Sequence, residues 1–308
     1  MAGAAGPLAA QGNGTTGGVL LELAATPRQV AFQGAYSAVV GDEGSIFVNP
    51  AGMAPIRRAA IGVSQERGLF GTTLSTAAAA VRVGRFDLGV GVMYMDLGGD
   101  SVIVPDPAFG GDRGMATGGV ISAWNGLAVG AVAYRRGMIS IGASVKYLQE
   151  SVGDGTATPP AGTSGVTGDI GAAIALFDIM ALGFSMQNVT GRISSAGVPL
   201  TLPRTSRFGI ALNVVDPQGT TRLLLTSDLI NPPGGNSWWA FGFEGGVVSG
   251  GIGLLGRAGL AAGRGPSDRK PYSLGAEIQV KGFRLEYAWQ GYDALATGSH
   301  RFGVRWVR

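Results

Sequence analysis

Phe283-Arg284-Leu285-Glu286-Tyr287-Ala288-Trp289-Gln290 is the clearest strand in the chain. Alternate positions carry Phe, Leu, Tyr and Trp, and the intervening ones carry Arg, Glu, Ala and Gln. Only a β-strand sends successive side chains to opposite faces. The same period of two runs through Phe86 to Val92, Arg207 to Val214, Tyr272 to Val280 and Arg301 to Trp306. In a soluble sandwich the second face is richly charged to meet water. Here it is dominated by Gly, Ala, Ser and Thr with an occasional charge. An outer-membrane barrel has this pattern, with its apolar face toward lipid and its small or polar face toward the lumen.

The same reading along the chain gives fourteen such segments, approximately 58–67, 72–83, 85–97, 122–135, 138–149, 165–177, 179–190, 204–215, 220–230, 237–248, 251–263, 271–280, 282–291 and 299–307. Most reach the roughly 9–11 residues of a tilted membrane crossing. After the first, at 68–71, the connections alternate. Short ones fall at Gly84-Arg85, Arg136-Gly137, Phe177-Asp178, Asp216-Pro217-Gln218, Ser249-Gly250 and Lys281-Gly282, and longer ones lie between them, the longest at 98–121. Short periplasmic turns, longer outer loops and an even strand count mark a closed antiparallel transmembrane barrel. Closure also removes the open edges that lipid does not tolerate. Trp238, Trp239, Tyr292 and Trp306 fall near strand ends, where interfacial girdles form.

Composition agrees. Charged residues are 14% of the chain, against about 25% in soluble domains. There are 55 glycines without a Gly-X-Y period, and no cysteine. Disulfide and thiolate-metal chemistry are thereby excluded. The net charge of +3 is scattered, so no nucleic-acid surface is indicated. No stretch reads as a membrane-spanning helix; the best, Ile170 to Met186, is broken by Asp178. Residues 1–18 read as a signal-peptide remnant or a flexible tail, 19–56 as a plug segment, and 57–308 as the barrel.

Gly34 to Ala54, reading GAYSAVVGDEGSIFVNPAGMA, closely resembles the opening of the PorV/PorQ family of outer-membrane proteins and its larger FadL-type superfamily. Its centre is the aromatic-x-Asn-Pro-Ala-Gly core from Phe47 to Gly52. Val145-Lys146-Tyr147, Gly183 to Asn188, Leu202 to Gly209 and Gly298 to Gly303 match later pieces in the family's order. The resemblance covers roughly residues 28–308. It implies a 14-stranded barrel with an N-terminal segment tucked into the periplasmic mouth. It also implies an accessory role in secretion or surface assembly, exercised through protein partners in the envelope.

Candidate residues are few. Asn49-Pro50-Ala51-Gly52 reads as the turn that hands the plug to the first strand, with Asn49, Pro50 and Gly52 as its chemistry. By alternation Lys146, Arg207, Arg222, Asp228, Glu244, Arg257, Glu277, Arg284, Glu286 and Arg305 face the lumen. Their mixed signs suit a rigidifying network that holds the plug better than a selectivity lining. Gly251-Ile252-Gly253-Leu254-Leu255-Gly256 matches the dinucleotide fingerprint, but Arg257 to Gly263 alternate like a strand, where the fingerprint needs a helix. His300, the only histidine, has no nucleophile-elbow motif to serve and opens the last strand. The apolar stretch Asp100 to Phe109 is either a lid over the lumen or a docking loop. No enzyme and no cofactor is expected. Besides the secretion role, the residues allow a FadL-like channel for hydrophobic small molecules, or a structural barrel in an envelope assembly.

Overall fold

Tight reversals at the short-turn end fix which strands are neighbours. At Lys281-Gly282 the backbone φ values are 46° and 92°, and at Gly250-Gly251 they are 59° and 79°. Two successive positive φ angles give the hairpin turn whose twist matches that of the flanking strands. The computed structural model describes residues 17–68, 71–110, 113–153, 161–177, 179–190, 192–195, 198–215, 219–233, 235–263, 269–292 and 297–308. Residues 1–16 of the segment expected as a leader or tail at 1–18, Asp178 and the turn at 216–218 lie outside the described residues.

Fourteen antiparallel strands close into one barrel. In chain order they are β1 (Ala59–Arg67), β2 (Thr73–Val83), β3 (Phe86–Pro105), β4 (Gly114–Arg136), β5 (Ile139–Gly153), β6 (Ala161–Leu176) and β7 (Met180–Gln187). A separate hairpin comes next, β8 (Arg192–Ser195) with β9 (Val198–Thr201). The barrel resumes with β10 (Thr205–Asn213), β11 (Thr221–Asn231), β12 (Trp238–Ser249), β13 (Ile252–Ala262), β14 (Arg269–Val280), β15 (Phe283–Tyr292) and β16 (Gly298–Val307). β16 pairs with β1 from Ala60↔Val307 to Arg67↔His300, so the barrel has no free edge there.

The outer face is a belt of exposed apolar side chains on every side. Val63, Val90, Val145, Phe208, Leu274, Leu285 and Phe302 are each more than half exposed. Water does not tolerate a continuous apolar surface of that extent, whereas a bilayer requires it. The protein is an outer-membrane barrel, and no helix of the described chain is long and apolar enough to cross a membrane.

Two expected loops are strands. The residues assigned to a connection at 98–121 extend β3 and β4. β2 pairs with β3 only as far as Asp96, and β5 pairs with β4 only from Ser122, so the extension is a free-standing ribbon. Ile103 and Val120 on it are exposed, and it does not fold back over the lumen. The lumen is covered instead by β8–β9, within the expected loop at 191–203. Ile193 is buried there in one apolar cluster with Leu20, Leu148 and Leu202.

Candidate functional site: the plug seat and the lumenal cavity

Inside the barrel lies the segment that precedes β1. It is a series of short turns, three of them started by a side-chain cap. Thr26 Oγ1 accepts from Gln29 N at 3.2 Å and opens α1 (Pro27–Ala31). Asp42 Oδ1 accepts from Gly44 N at 2.9 Å, ahead of the 3₁₀ turn Glu43–Phe47. Asn49 Oδ1 accepts from Ala51 N at 3.1 Å, ahead of the 3₁₀ turn Pro50–Met53. Proline at the first helical position after Thr26 and Asn49 loses no needed N–H. Asn49 does more than cap. Its Nδ2 donates to Ser37 O at 2.7 Å and to Ala172 O of β6 at 3.1 Å, tying the turn to the plug and to the wall. Gly52 is packed so closely that a Cβ there would lie 2.7 Å from Val39 O.

The wall's small residues make room for this backbone. A Cβ on Gly142 of β5 would sit 2.6 Å from Ala51 N, and one on Gly259 of β13 would sit 2.6 Å from Ala31 O. At Gly183 of β7 it would overlap the carbonyl of Ser37. Glycine here admits close approach of a second backbone. The wall then satisfies the plug's carbonyls. Ser140 donates to Ala51 O, Thr226 to Ala35 O and Ser273 to Ala31 O, each at 3.1 Å, and Gln187 Nε2 donates to Phe47 O at 2.8 Å. A buried segment without regular structure needs such partners for every polar group. The plug runs from Ala51 beside β5 at the short-turn end to Leu20 beneath β8–β9, and so occupies far more than the periplasmic mouth.

On one side the wall and plug share an ionic network. Arg257 meets Glu244 at 2.6 Å, Glu286 at 2.9 Å and Glu277. Arg28 of the plug bridges Glu244 at 2.8 Å and Asp42 at 3.2 Å. Arg305 bridges Asp42 at 2.8 Å and Glu43 at 2.7 Å. Arg284 joins at the margin, 3.6 Å from Glu277. The other lumenal charges stand apart from this network. Lys146 pairs with Asp169 at 2.7 Å. Asp228 Oδ2 accepts from Tyr36 N at 3.2 Å and Ser37 N at 2.9 Å. Arg207 donates to Gly34 O at 3.0 Å and Gln187 Oε1 at 2.8 Å. Arg222 is half-buried at the short-turn end and donates to Gly219 O at 2.7 Å.

Sequence reasoning missed the plug's own Arg28, Asp42 and Glu43, because that segment has no period to read. It also passed over Asp169, Glu66 and Arg301, which the alternation does contain: Arg301 lies four residues before Arg305 on the same face and pairs with Glu66. Burial pushes the Asp42 carboxyl up, but Arg305 and Arg28 together hold it down at about 2. For Glu43 burial outweighs Arg305 and lifts the carboxyl to about 7. Burial also raises the Tyr36 phenol well above its ordinary value.

At the long-connection end a cavity of about 100 Å³ remains between plug and wall. Leu21, Phe47, Leu74, Trp238 and Tyr292 give it apolar walls, and Gln187, Arg207, Gln290 and Arg301 give it polar ones. Among the described residues no group of side chains is arranged to hold a metal ion. The dinucleotide-like glycines fall at the start of β13, with no helix after them. His300 is on the outer face, where its Nδ1 lies 2.8 Å from the Tyr287 hydroxyl.

No family model and no curated protein matches the chain. Solved structures do match it in fold. The CymD monoaromatic hydrocarbon channel superposes with a TM-score of 0.61 at 12% identity, over 91% of this chain and 96% of its own. The Ralstonia pickettii toluene transporter TbuX gives 0.57 at 14%, over 92% and 98%. A Pseudomonas aeruginosa FadL homologue gives 0.58 at 13%, over 91% and 97%. These likenesses correct the PorV/PorQ resemblance and the secretion role drawn from it. The motifs behind that resemblance have a local cause: Phe47 to Gly52 caps a turn and docks it on β5 and β6, which any barrel with this plug requires. The fold of the barrel is that of the FadL-type hydrocarbon channels.

Proposed function

We propose that the protein is a FadL-type outer-membrane channel for hydrophobic small molecules. The observation that carries this reading is the lumenal cavity at the long-connection end, where Leu21, Phe47, Leu74, Trp238 and Tyr292 face an equally extensive polar lining that includes Gln187, Arg207, Gln290 and Arg301. Small-molecule sites combine apolar walls with placed polar groups, and this cavity has both. At about 100 Å³ it is on the scale of the roughly 150 Å³ apolar cavity known to take up benzene. A single aromatic ring therefore fits better than a long chain. The matched structures named for toluene or monoaromatic hydrocarbons support the same class. Below the cavity the lumen is filled by the plug, so passage requires the plug to shift.

The test is binding first and uptake second. Titrating toluene into the detergent-solubilised barrel quenches Trp238 fluorescence, relative to a Trp238→Phe control. Cells carrying the barrel take up radiolabelled toluene several-fold faster than cells carrying Leu74→Trp, which fills the cavity. No Trp238 response together with equal uptake by the two cell types would overturn the proposal.

A further inference from the structure

The short-turn end of the barrel is ringed by basic side chains. Arg57 and Arg58 stand at the entry to β1, Arg85 in the β2–β3 turn, Arg136 at the end of β4, Lys281 in the β14–β15 turn and Arg308 after β16. All six are exposed, and none has a carboxylate within ion-pair distance among the described residues. Backbone hydrogen bonds make them neighbours. Arg58 N donates to Arg308 O at 3.2 Å, Arg82 N to Arg58 O at 2.9 Å, and Arg135 N to Arg85 O at 3.0 Å. The one described carboxylate at this rim, Asp87, is buried and paired with Arg82 at 3.1 Å. The sequence places Asp178 and Asp216 in the β6–β7 and β10–β11 connections, away from this arc. The exposed side-chain charge of the collar is thus one-signed over β14–β16 and β1–β5 among the described residues.

Its height on the barrel says what it faces. Arg136 lies two residues beyond Tyr134, whose ring packs 5.2 Å from that of Phe86 on the outer face. Arg308 lies two beyond Trp306 and stays in the ladder, its N donating to Ala59 O at 2.9 Å. Phe86 and Phe283, about half exposed, complete an aromatic edge just inside the collar. Aromatic rings mark the headgroup level, and arginine side chains reach from the apolar belt to that same level. A collar there meets lipid headgroups before it meets a soluble partner.

We infer that this arc binds the phosphates of anionic phospholipids in the leaflet at the short-turn end. Unpaired guanidinium groups form charge-assisted hydrogen bonds with phosphate oxygens. Each basic group near an anionic surface strengthens binding by about fivefold. The reading is independent of what the lumen carries.

Native mass spectrometry of the detergent-solubilised barrel tests it, with phosphatidylglycerol and phosphatidylcholine offered in equal amounts. The wild-type protein retains phosphatidylglycerol at least tenfold over phosphatidylcholine. The variant Arg85→Gln/Arg136→Gln/Arg308→Gln loses that preference, while Arg67→Gln/Arg204→Gln at the opposite rim keeps it. Heat-modified gel migration shows that each variant is folded. Equal retention of the two lipids by the wild type, or an undiminished preference in the triple variant, overturns the inference. So does binding of a polyglutamate peptide to the barrel in phosphatidylcholine nanodiscs when no lipid preference is seen.

Discussion

The two sides of the lumen hold the same plug by different forces. On the β1–β5 side Ile46, Phe47 and Met53 are buried against Leu74, Met93, Leu127 and Leu148, with no ion pair between them. On the β12–β16 side Arg28, Asp42 and Glu43 enter a chain of ion pairs with Glu244, Arg257 and Arg305. Apolar packing is insensitive to salt and nearly so to pH, whereas each ionic contact depends on the protonation of its partner. The cavity touches both flanks, through Phe47 and Leu74 on the apolar one and Gln290 and Arg301 on the polar one.

That division is most exposed to challenge at Arg257. Arg257→Ala leaves Glu244, Glu277 and Glu286 buried without their shared cation, and removing one partner of a buried pair costs about 3–5 kcal/mol. Urea titration in detergent micelles is expected to show that loss, with trypsin cleaving after Arg28 in the loosened plug. On the opposite flank Leu148→Ala, at a side chain 1% exposed, is expected to cost about 2–4 kcal/mol by the same titration. Its cost should not change between low and high salt; a salt-dependent loss would mean that the two flanks are not separate.

Proton dependence separates the flanks further. The folded carboxyl of Glu43 is raised, from 4.5 to about 7, so the docked plug takes up a proton that the free segment releases. Its contribution to docking is fully present below about pH 4.5 and is lost as pH rises through 7. Asp42 has the opposite sign: its contribution is present above 3.8 and is lost only as pH falls toward about 2. Protection of the plug amides, taken relative to their intrinsic exchange rate at each pH, should therefore be greater at about pH 5.5 than at about pH 8, and Glu43→Gln should abolish that difference. The smallest effect is expected at Thr26→Ala, which removes the α1 cap for about 1 kcal/mol and slightly raises exchange at Gln29 alone.

Much of this is legible in the chain. The period of two puts Arg257, Glu277 and Arg305 on the lumenal face, and each strand carries its own record of which face it turns inward. The Asn49-Pro50 turn is readable because a side-chain cap and a proline act within four residues. What escapes is whatever lacks a period. Arg28, Asp42 and Glu43 sit in irregular backbone, and only their arrival beside Glu244 and Arg305 gives them a role. The ribbon at 98–121 reads as a loop because its strand extension lies beyond the membrane, where no lipid imposes a clean apolar face.

Alternation and turn chemistry are properties of neighbouring residues, so the closed sheet, its strand number and its membrane setting are written in the chain. The use of the glycine-rich inner face emerges only on folding. It receives a backbone, with Gly142, Gly183 and Gly259 lying directly under the plug. That fit joins residues as distant in sequence as Ala31 and Gly259, 228 positions apart, and no local pattern encodes a distance of that kind. The same holds for the kind of barrel this is. The motifs around Asn49 resemble those of a secretion component, but the way the whole chain closes around its plug matches the FadL-type fold.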